Sequence, residues 1–511
     1  SNEDMEFSTD VDWIRFDTTR LAKGKHQVKF TALANEEEER SGTITIKTNS
    51  LEKQVLVIQE AGLVNVFYVK PGSGGTGRSW ADPTNLQTAL KNATSGSVIH
   101  LTEGIYVPSD IITNGEASNA GDKTFEINKN ITLIGGYPAT ATAGATPDPQ
   151  LYKTIFSGKQ EDGSESFHVV TVSAPVAEGE KVVLDGITIK EGNAADRGIN
   201  ITLNGLKFSR GNGGGMIIGG SIAELRNVEI VDNRASARSG TAGQCAGLYI
   251  FANANVQMVN CKVNDNDNIS SNGGGLWVSE AKAYIFNSEV NGNSSKGTAS
   301  GVHAFPDAEV HMYGSKVQNN NNTSFGAGVY ARQNSKIILV NCLITGNVTT
   351  STSGGGGVML YDNCVADVIS CTVSANGAAG PGGGIYRRQN TNTLRIYNSV
   401  VSGNTQRSPS TDVDAFEATA APPTVRSSVI STKVFDSSGS ELSGVSFNPT
   451  TMFDAGFRLI GSNNPALQHG MDAVQLQSLS QTFNPPLSED IQKDISGASR
   501  SGRTIMGVWV Q

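Results

Sequence analysis

"GGGLWVSEAKAYIFNSEVNGN", Gly273–Asn293, opens on three glycines, passes through short apolar stretches and closes on asparagine. The pattern is not unique in the chain. Glycine directly before an apolar residue returns at Gly215, Gly247, Gly275, Gly301, Gly328, Gly357 and Gly384. The closing asparagine returns at Asn233, Asn266, Asn293, Asn320, Asn347, Asn376 and Asn404, at intervals of 33, 27, 27, 27, 29 and 28 residues. A unit this short cannot bury its own apolar face, so consecutive copies specify a solenoid in which each repeat covers the next.

The columns of the repeat give its secondary structure. Three residues before each closing Asn stand Ile230, Val263, Val290, Val317, Ile344, Val373 and Val401, all β-branched and suited to a pleated strand. Leu225, Met258, Ile285, Met312, Leu339, Val368 and Ile396 form a second column, and Ala223, Val256, Ala283, Val310, Ile337, Ala366 and Leu394 a third two residues upstream. Apolar residues at spacing two mark one inward strand face. The residue after each glycine (Met216, Leu248, Leu276, Val302, Val329, Val358, Ile385) is inward on another strand. No helical period survives and no stretch is left for a crossover helix, which excludes leucine-rich and α-solenoid architectures. Short strands joined by Gly and Asn corners predict one coil of a parallel β-helix per repeat.

Asparagine tolerates the left-handed corner conformation, and its amide can bond the same amide one coil above. Two ladders are therefore expected, one joining Asn293, Asn320 and Asn347, the other joining Asn260 and Asn287 in the column six residues upstream. "VIHL", "ITLIGGY", "TIFSG", "FHVVTVS" and "VVLDGITIKEGN" continue the pattern towards the N-terminus. They bring the expected total to eleven or twelve coils, a stack of about 55 Å at about 4.8 Å per coil.

A net charge of −9 leaves no basic footprint for nucleic acid, and no run of 18 apolar residues exists to span a membrane. The five cysteines lack metal-type spacing. Cys261, Cys342 and Cys371 share a column with Val228, Ser288, Ser315 and Ser399, which predicts buried free thiols.

Residues 1–61 depart from the repeat; "HQVKFTALAN", "GTITIKT" and "KQVLVIQ" alternate as in a small antiparallel β-sandwich. With "DWI" at Asp12–Ile14, "RSGTITI" at Arg40–Ile46 and "VLVIQ" at Val55–Gln59, this segment resembles the immunoglobulin-like BACON modules. That resemblance implies an exported bacterial protein and, for the module, either sugar binding or a spacer role. Residues 62–511 are expected to form the β-helix, with an N-terminal cap over about 63–110 and a C-terminal capping segment over about 405–511. In the cap, "TNLQTALKNA" is amphipathic, with Leu86, Ala89, Leu90 and Ala93 on one face. The cap and the closing "DISGASRSGRTIMGVWVQ" resemble bacterial surface right-handed β-helix proteins, and "GGGL…VNGN" resembles repeats of polymorphic outer-membrane adhesins. These resemblances imply right-handedness and a place outside the cell or on the bacterial surface.

Fold alone does not fix function. A hydrolase needs two facing carboxylates, and a lyase a base beside a group that neutralises a uronate. Candidates are Asp185 with Arg197, Asp232 with Arg234, Asp265 with Asp267, and His303 with Asp307 and His311. Each also reads as a corner or an outward strand residue, and the pectinase motifs "NTD" and "GHG" are absent. No catalytic residue, metal or cofactor is assigned on this basis. A polysaccharide lyase or hydrolase acting on an acidic polysaccharide stands as the alternative, and a structural stalk as another.

Binding leaves a clearer mark. Alternation turns the residue two after each glycine outward, giving Ile217, Tyr249, Trp277, His303, Tyr330, Met359 and Tyr386. The companion column two residues on reads Gly219, Phe251, Ser279, Phe305, Arg332, Tyr361 and Arg388. In a chain with 6 % aromatics this density predicts an exposed platform of Tyr249, Phe251, Trp277, Phe305, Tyr330 and Tyr386. Sugar C–H faces would pack on it, with Arg332 and Arg388 holding an acidic group. A second outward stripe, Phe286, Tyr313, Val340, Ile369 and Tyr397, lacks arginines and is expected to be covered by another part of the chain. The resulting expectation is a monomeric surface protein that binds a polysaccharide or surface glycan without catalysis.

Overall fold

A computed structural model of the chain describes residues 1–33, 40–59, 65–237, 241–389, 391–406, 423–445, 447–448, 452–461, 463–483, 485–487, 489–500 and 505–508. Each full coil contributes four strands, as in Leu248–Phe251, Asn255–Val259, Lys262–Asn264 and Asp267–Asn268. Strands of each kind pair in parallel with their own kind one coil away, forming sheets of 9, 12, 12 and 8 strands. These are called the first to fourth sheets in that coil order. The third ends in an antiparallel hairpin strand, Lys433–Phe435.

The inward columns read from the sequence stack in register. Leu248 pairs with Leu276, Met258 with Ile285 and Val263 with Val290, and all six side chains are buried in one continuous core. In-register stacking puts like beside like, so small changes of volume are matched within a column rather than across the core.

Two left-handed corners turn each coil. The column of Asn260, Asn287, Gly314 and Ser370 has φ of 53°, 49°, 55° and 53°. The residue before each closing Asn repeats this, from Asp265 at 52° to Gly292 at 68° and Asn319 at 52°. L-residues pay for this conformation, Asn and Gly least. Asn287→Gly is therefore expected to leave stability nearly unchanged, while Asn287→Val costs about 1–2 kcal/mol, read from denaturant midpoints.

The closing asparagines form one continuous buried ladder. Asn233, Asn266, Asn293, Asn320, Asn347 and Asn376 each donate Nδ2 to Oδ1 of the next, ending on Asn404, at 2.8–3.0 Å. Their backbone N–H groups donate to the same oxygens. The second expected ladder is corrected. Asn260 and Asn287 are exposed at their corner, and among the described residues their side chains make no hydrogen bond to each other. Left-handed backbone, not amide stacking, explains asparagine there. A different ladder runs through the cysteine column: Cys261 N–H donates to Ser288 Oγ, Ser288 N–H to Ser315 Oγ, and Cys371 N–H to Ser399 Oγ. All five cysteines are free and buried, and burial pushes the Cys261 thiol up to about 12.

Helix α1, Leu86–Asn92, buries Leu86, Ala89 and Leu90, with the following Ala93, against the first coils. Asn85 accepts from the Thr88 N–H at its start, and Lys129 Nζ donates to the carbonyls of Leu90, Lys91 and Ala93 at its end. A cation on these unpaired carbonyls suits the negative end of the helix dipole. At the other end, helix α2, Ala473–Ser480, lies in a segment whose Met471, Leu476, Leu487 and Ile491 cover Tyr313, Val340, Ile369 and Tyr397, with Phe286 at the margin. That is the stripe expected to be covered. Arg500, 1 % exposed, ties this segment down by donating to the carbonyls of Lys493, Ile505 and Gly507 and to Asn341 Oδ1.

Residues 5–32 and 40–59 form a four-stranded and a two-stranded antiparallel sheet around Trp13, Ile14 and Ile44. The boundary expected at residue 61 lies outside the described residues. No helix among the described residues is long and apolar enough to cross a membrane.

Candidate binding face on the first sheet

In the strand Val329–Arg332, Val329 and Ala331 enter the core while Tyr330 and Arg332 point away from it. Parallel register carries both outward columns from coil to coil: Tyr249 pairs with Trp277, Trp277 with His303, His303 with Tyr330, and Arg332 with Tyr361. The expected alternation holds, but the expected exposure does not.

Trp277, Tyr330 and Tyr386 are 3 %, 1 % and 6 % exposed. The loops that link the fourth sheet to the first fold back over them. Gly326 makes this contact possible at Tyr330: its φ is +62°, and a Cβ there would sit 2.6 Å from Tyr330 Cβ. Gly273 and Gly382 press on Trp277 and Tyr386 in the same way. The indole N–H of Trp277 donates to the Phe305 carbonyl at 2.8 Å. Towards the N-terminus, the hairpin Asn200–Ser209 packs on Ile217, leaving Tyr249 and Phe251 half-buried with Phe208 5.0 Å from Phe251. The idea of a continuous exposed aromatic platform is thus corrected: Tyr330 and Tyr386 join Ala299 and Met359 in a minor core beneath the loops, and Trp277 is buried between Tyr249 and His303.

The companion column stays open. Phe305, Arg332, Tyr361 and Arg388 are half-buried on successive coils, joined by Phe325 from a neighbouring loop. Tyr361 was not among the binding candidates. Arg332 lies 5.0 Å from the Phe305 ring centre and 5.5 Å from that of Tyr361, and Arg388 lies 4.7 Å from Tyr361 and 5.0 Å from Phe325. Rings and guanidinium groups alternate along the solenoid axis. Each cation occupies a ring face that a sugar would otherwise stack on, so the chemistry this surface presents is N–H groups and charge rather than open ring faces. Arg332 Nε also pairs with Asp362 at 3.1 Å. Beside this row, Asn363 Nδ2 donates to Asn334 Oδ1 and Asn334 Nδ2 to Asp307 Oδ1, an exposed amide ladder along the rim.

The candidate catalytic pairs are not assembled. Asp185 accepts from Asn227, and Arg197 packs beside Gly211. Asp232 and Asp265 are left-handed corner residues, Arg234 faces Glu165, and Asp267 accepts from Ser294. His311, on the second sheet, bonds Glu309 at 2.8 Å. His303, on the first, is 2 % exposed, stacked on Phe305 and Tyr330 and tilted against Trp277, and neither ring nitrogen is hydrogen-bonded among the described residues. Burial, then the nearby Arg332, lower its pKa to about 3. One buried polar cluster was not foreseen: Arg210 pairs with Asp122 at Nε–Oδ1 2.8 Å, Glu116 N–H caps Asp122, and His168 bonds the Gly213 carbonyl. It clamps the loop around residues 110–124 to the start of the first sheet.

Two solved structures resemble this fold. The crystal structure of pectate lyase Pel9A aligns with 80 % of this chain and 92 % of its own length, at 15 % identity and a TM-score of 0.42. The pectin methylesterase from Aspergillus niger aligns with 70 % of this chain and 91 % of its own, at 13 % identity and a TM-score of 0.27. No curated protein matches the sequence. Residues 3–60 match the BACON family, described as "Putative binding domain, N-terminal", and residues 266–412 match the family described as a right handed beta helix region. The chain therefore joins an N-terminal BACON domain to a right-handed parallel β-helix.

Proposed function

We propose that this is an exported, cell-surface protein that binds a glycan on the open rim of the first sheet and does not cleave it. The observation that carries this reading is the alternating row Phe305, Arg332, Tyr361, Arg388, held rigid by ring–guanidinium contacts of 4.7–5.5 Å on consecutive coils. A surface that alternates rings and guanidinium groups, with one arginine every second coil or about 9.6 Å, matches a repeating linear polymer better than a compact ligand. The N-terminal domain adds support, since its family carries the description "Putative binding domain, N-terminal". The nearby acids and histidines support binding over chemistry because they are engaged in corners, ladders and stacks.

Affinity electrophoresis of the whole chain through gels containing host and plant polysaccharides tests this, with the same polymers assayed for unsaturated uronate and reducing ends. Retardation without product is expected. Release of product would overturn the non-catalytic reading, and free migration in every gel would favour a structural stalk.

A further inference from the structure

The two arginines of the open row differ in a way that gives them different roles. Arg332 is neutralised by Asp362 at 3.1 Å, with its side chain 41 % exposed. Arg388 has no carboxylate partner among the described residues; its guanidinium is held only by the Tyr361 and Phe325 rings, 4.7 and 5.0 Å from their centres. Two rings fix the plane of the group without using its N–H donors. A planar fork of donors, set between two rings and with no carboxylate partner among the described residues, matches the geometry of an oxyanion with two equivalent oxygens. Preorganisation matters here, because little side-chain entropy is left to lose on binding.

We propose that Arg388 is the anion subsite of this face and that its ligand is an acidic glycan, whose carboxylate or sulfate accepts two N–H bonds from the guanidinium. This deepens the glycan-binding reading above and rests on it. Arg332, two coils away along the axis at roughly 9.6 Å, donates to neutral hydroxyl groups of the same chain, its charge being spent on Asp362. Tyr361 stands between the two, its ring centre 5.5 Å from the Arg332 guanidinium carbon and 4.7 Å from that of Arg388. A polymer lying along the axis is therefore read as one anion with hydroxyl groups to one side.

The test uses three polymers in parallel: polygalacturonate for carboxylates, dextran sulfate for sulfates, and dextran as the neutral control. Wild-type protein is expected to be retained by at least one acidic polymer and to lose that retention as salt rises. Arg388→Ala and Arg388→Lys should each weaken it about tenfold or more, the lysine variant because it keeps the charge but not the planar fork. Arg332→Lys should weaken it less than either. Thermal melts of each variant confirm that the fold is intact. Acidic-polymer binding that survives Arg388→Ala, or wild-type retention on dextran alone, would overturn the anion subsite and leave glycan binding standing. Retention on none of the three, with none on the wider polysaccharide set, would overturn both.

Discussion

Asn320→Ala is expected to lower the stability of the β-helix by roughly 3–5 kcal/mol, seen as a shift of the urea midpoint. The side chain sits in the middle of the buried ladder. It accepts from the Asn293 N–H and Nδ2 at 3.0 and 2.9 Å, and donates to Asn347 Oδ1 and the Val290 carbonyl at 2.8 and 2.9 Å. Alanine leaves the Asn293 backbone N–H and one of its two Nδ2 hydrogens, the other being held by the Val263 carbonyl, without partners in a buried site. Each such group costs about 1–3 kcal/mol. Asn320→Asp keeps the shape but removes the donors, so two oxygens then face a buried carboxylate, and the loss should be at least as large. A midpoint unchanged by either substitution would mean the ladder does not hold the coils together.

Acid should unfold the β-helix through His303. Its folded pKa of about 3, against 6.5 when unfolded, means that the unfolded chain takes up a proton across this interval while the native chain does not. Stability from this residue is complete above about pH 6.5 and falls as pH drops towards about 3, by roughly 4–5 kcal/mol in all. The fully buried His168, lowered to about 4 by burial, acts in the same direction. His303→Phe retains a flat ring between Trp277 and Tyr330 and removes the proton site. The variant should melt higher than the wild type near pH 4, with the gap closing as pH rises above 6.5. Parallel melting curves at every pH would show that His303 does not titrate against the fold.

The strand columns were legible because a parallel β-helix repeats its interior in register, so the apolar positions of one coil recur in every other. The Leu225, Ile230 and Met216 columns are all buried at the positions read. The two asparagine columns were harder to separate, because one residue type serves both a ladder and a left-handed corner. The distinction was nevertheless present in the sequence. The upstream column admits Gly314 and Ser370, which a corner accepts and an amide ladder does not, whereas the closing column is Asn in all seven repeats. The binding face was half legible. Alternation placed Arg332 and Arg388 outward, but it carries no information about the loops, whose irregular "TSFGAG" and "AGPGG" stretches bury Tyr330 and Tyr386. Ring stacking on arginine, which closes ring faces that were expected to be open, depends on contacts between coils that no single repeat reveals.

The C-terminal segment gives the molecule two folding clocks. Coil adds to coil through contacts about 27 residues apart, as in the Asn293–Asn320 bond, so the stack can zip up in chain order as each repeat becomes available. The latch works over far longer loops: Arg500 reaches Asn341 across 159 residues and Val508 reaches Thr372 across 136. Closing loops of that size comes late, and until it happens Tyr313, Val340, Ile369 and Tyr397 stand wet on an otherwise finished rod. Once closed, the latch couples coils that would otherwise fray singly, so the last third of the rod opens as a unit or not at all.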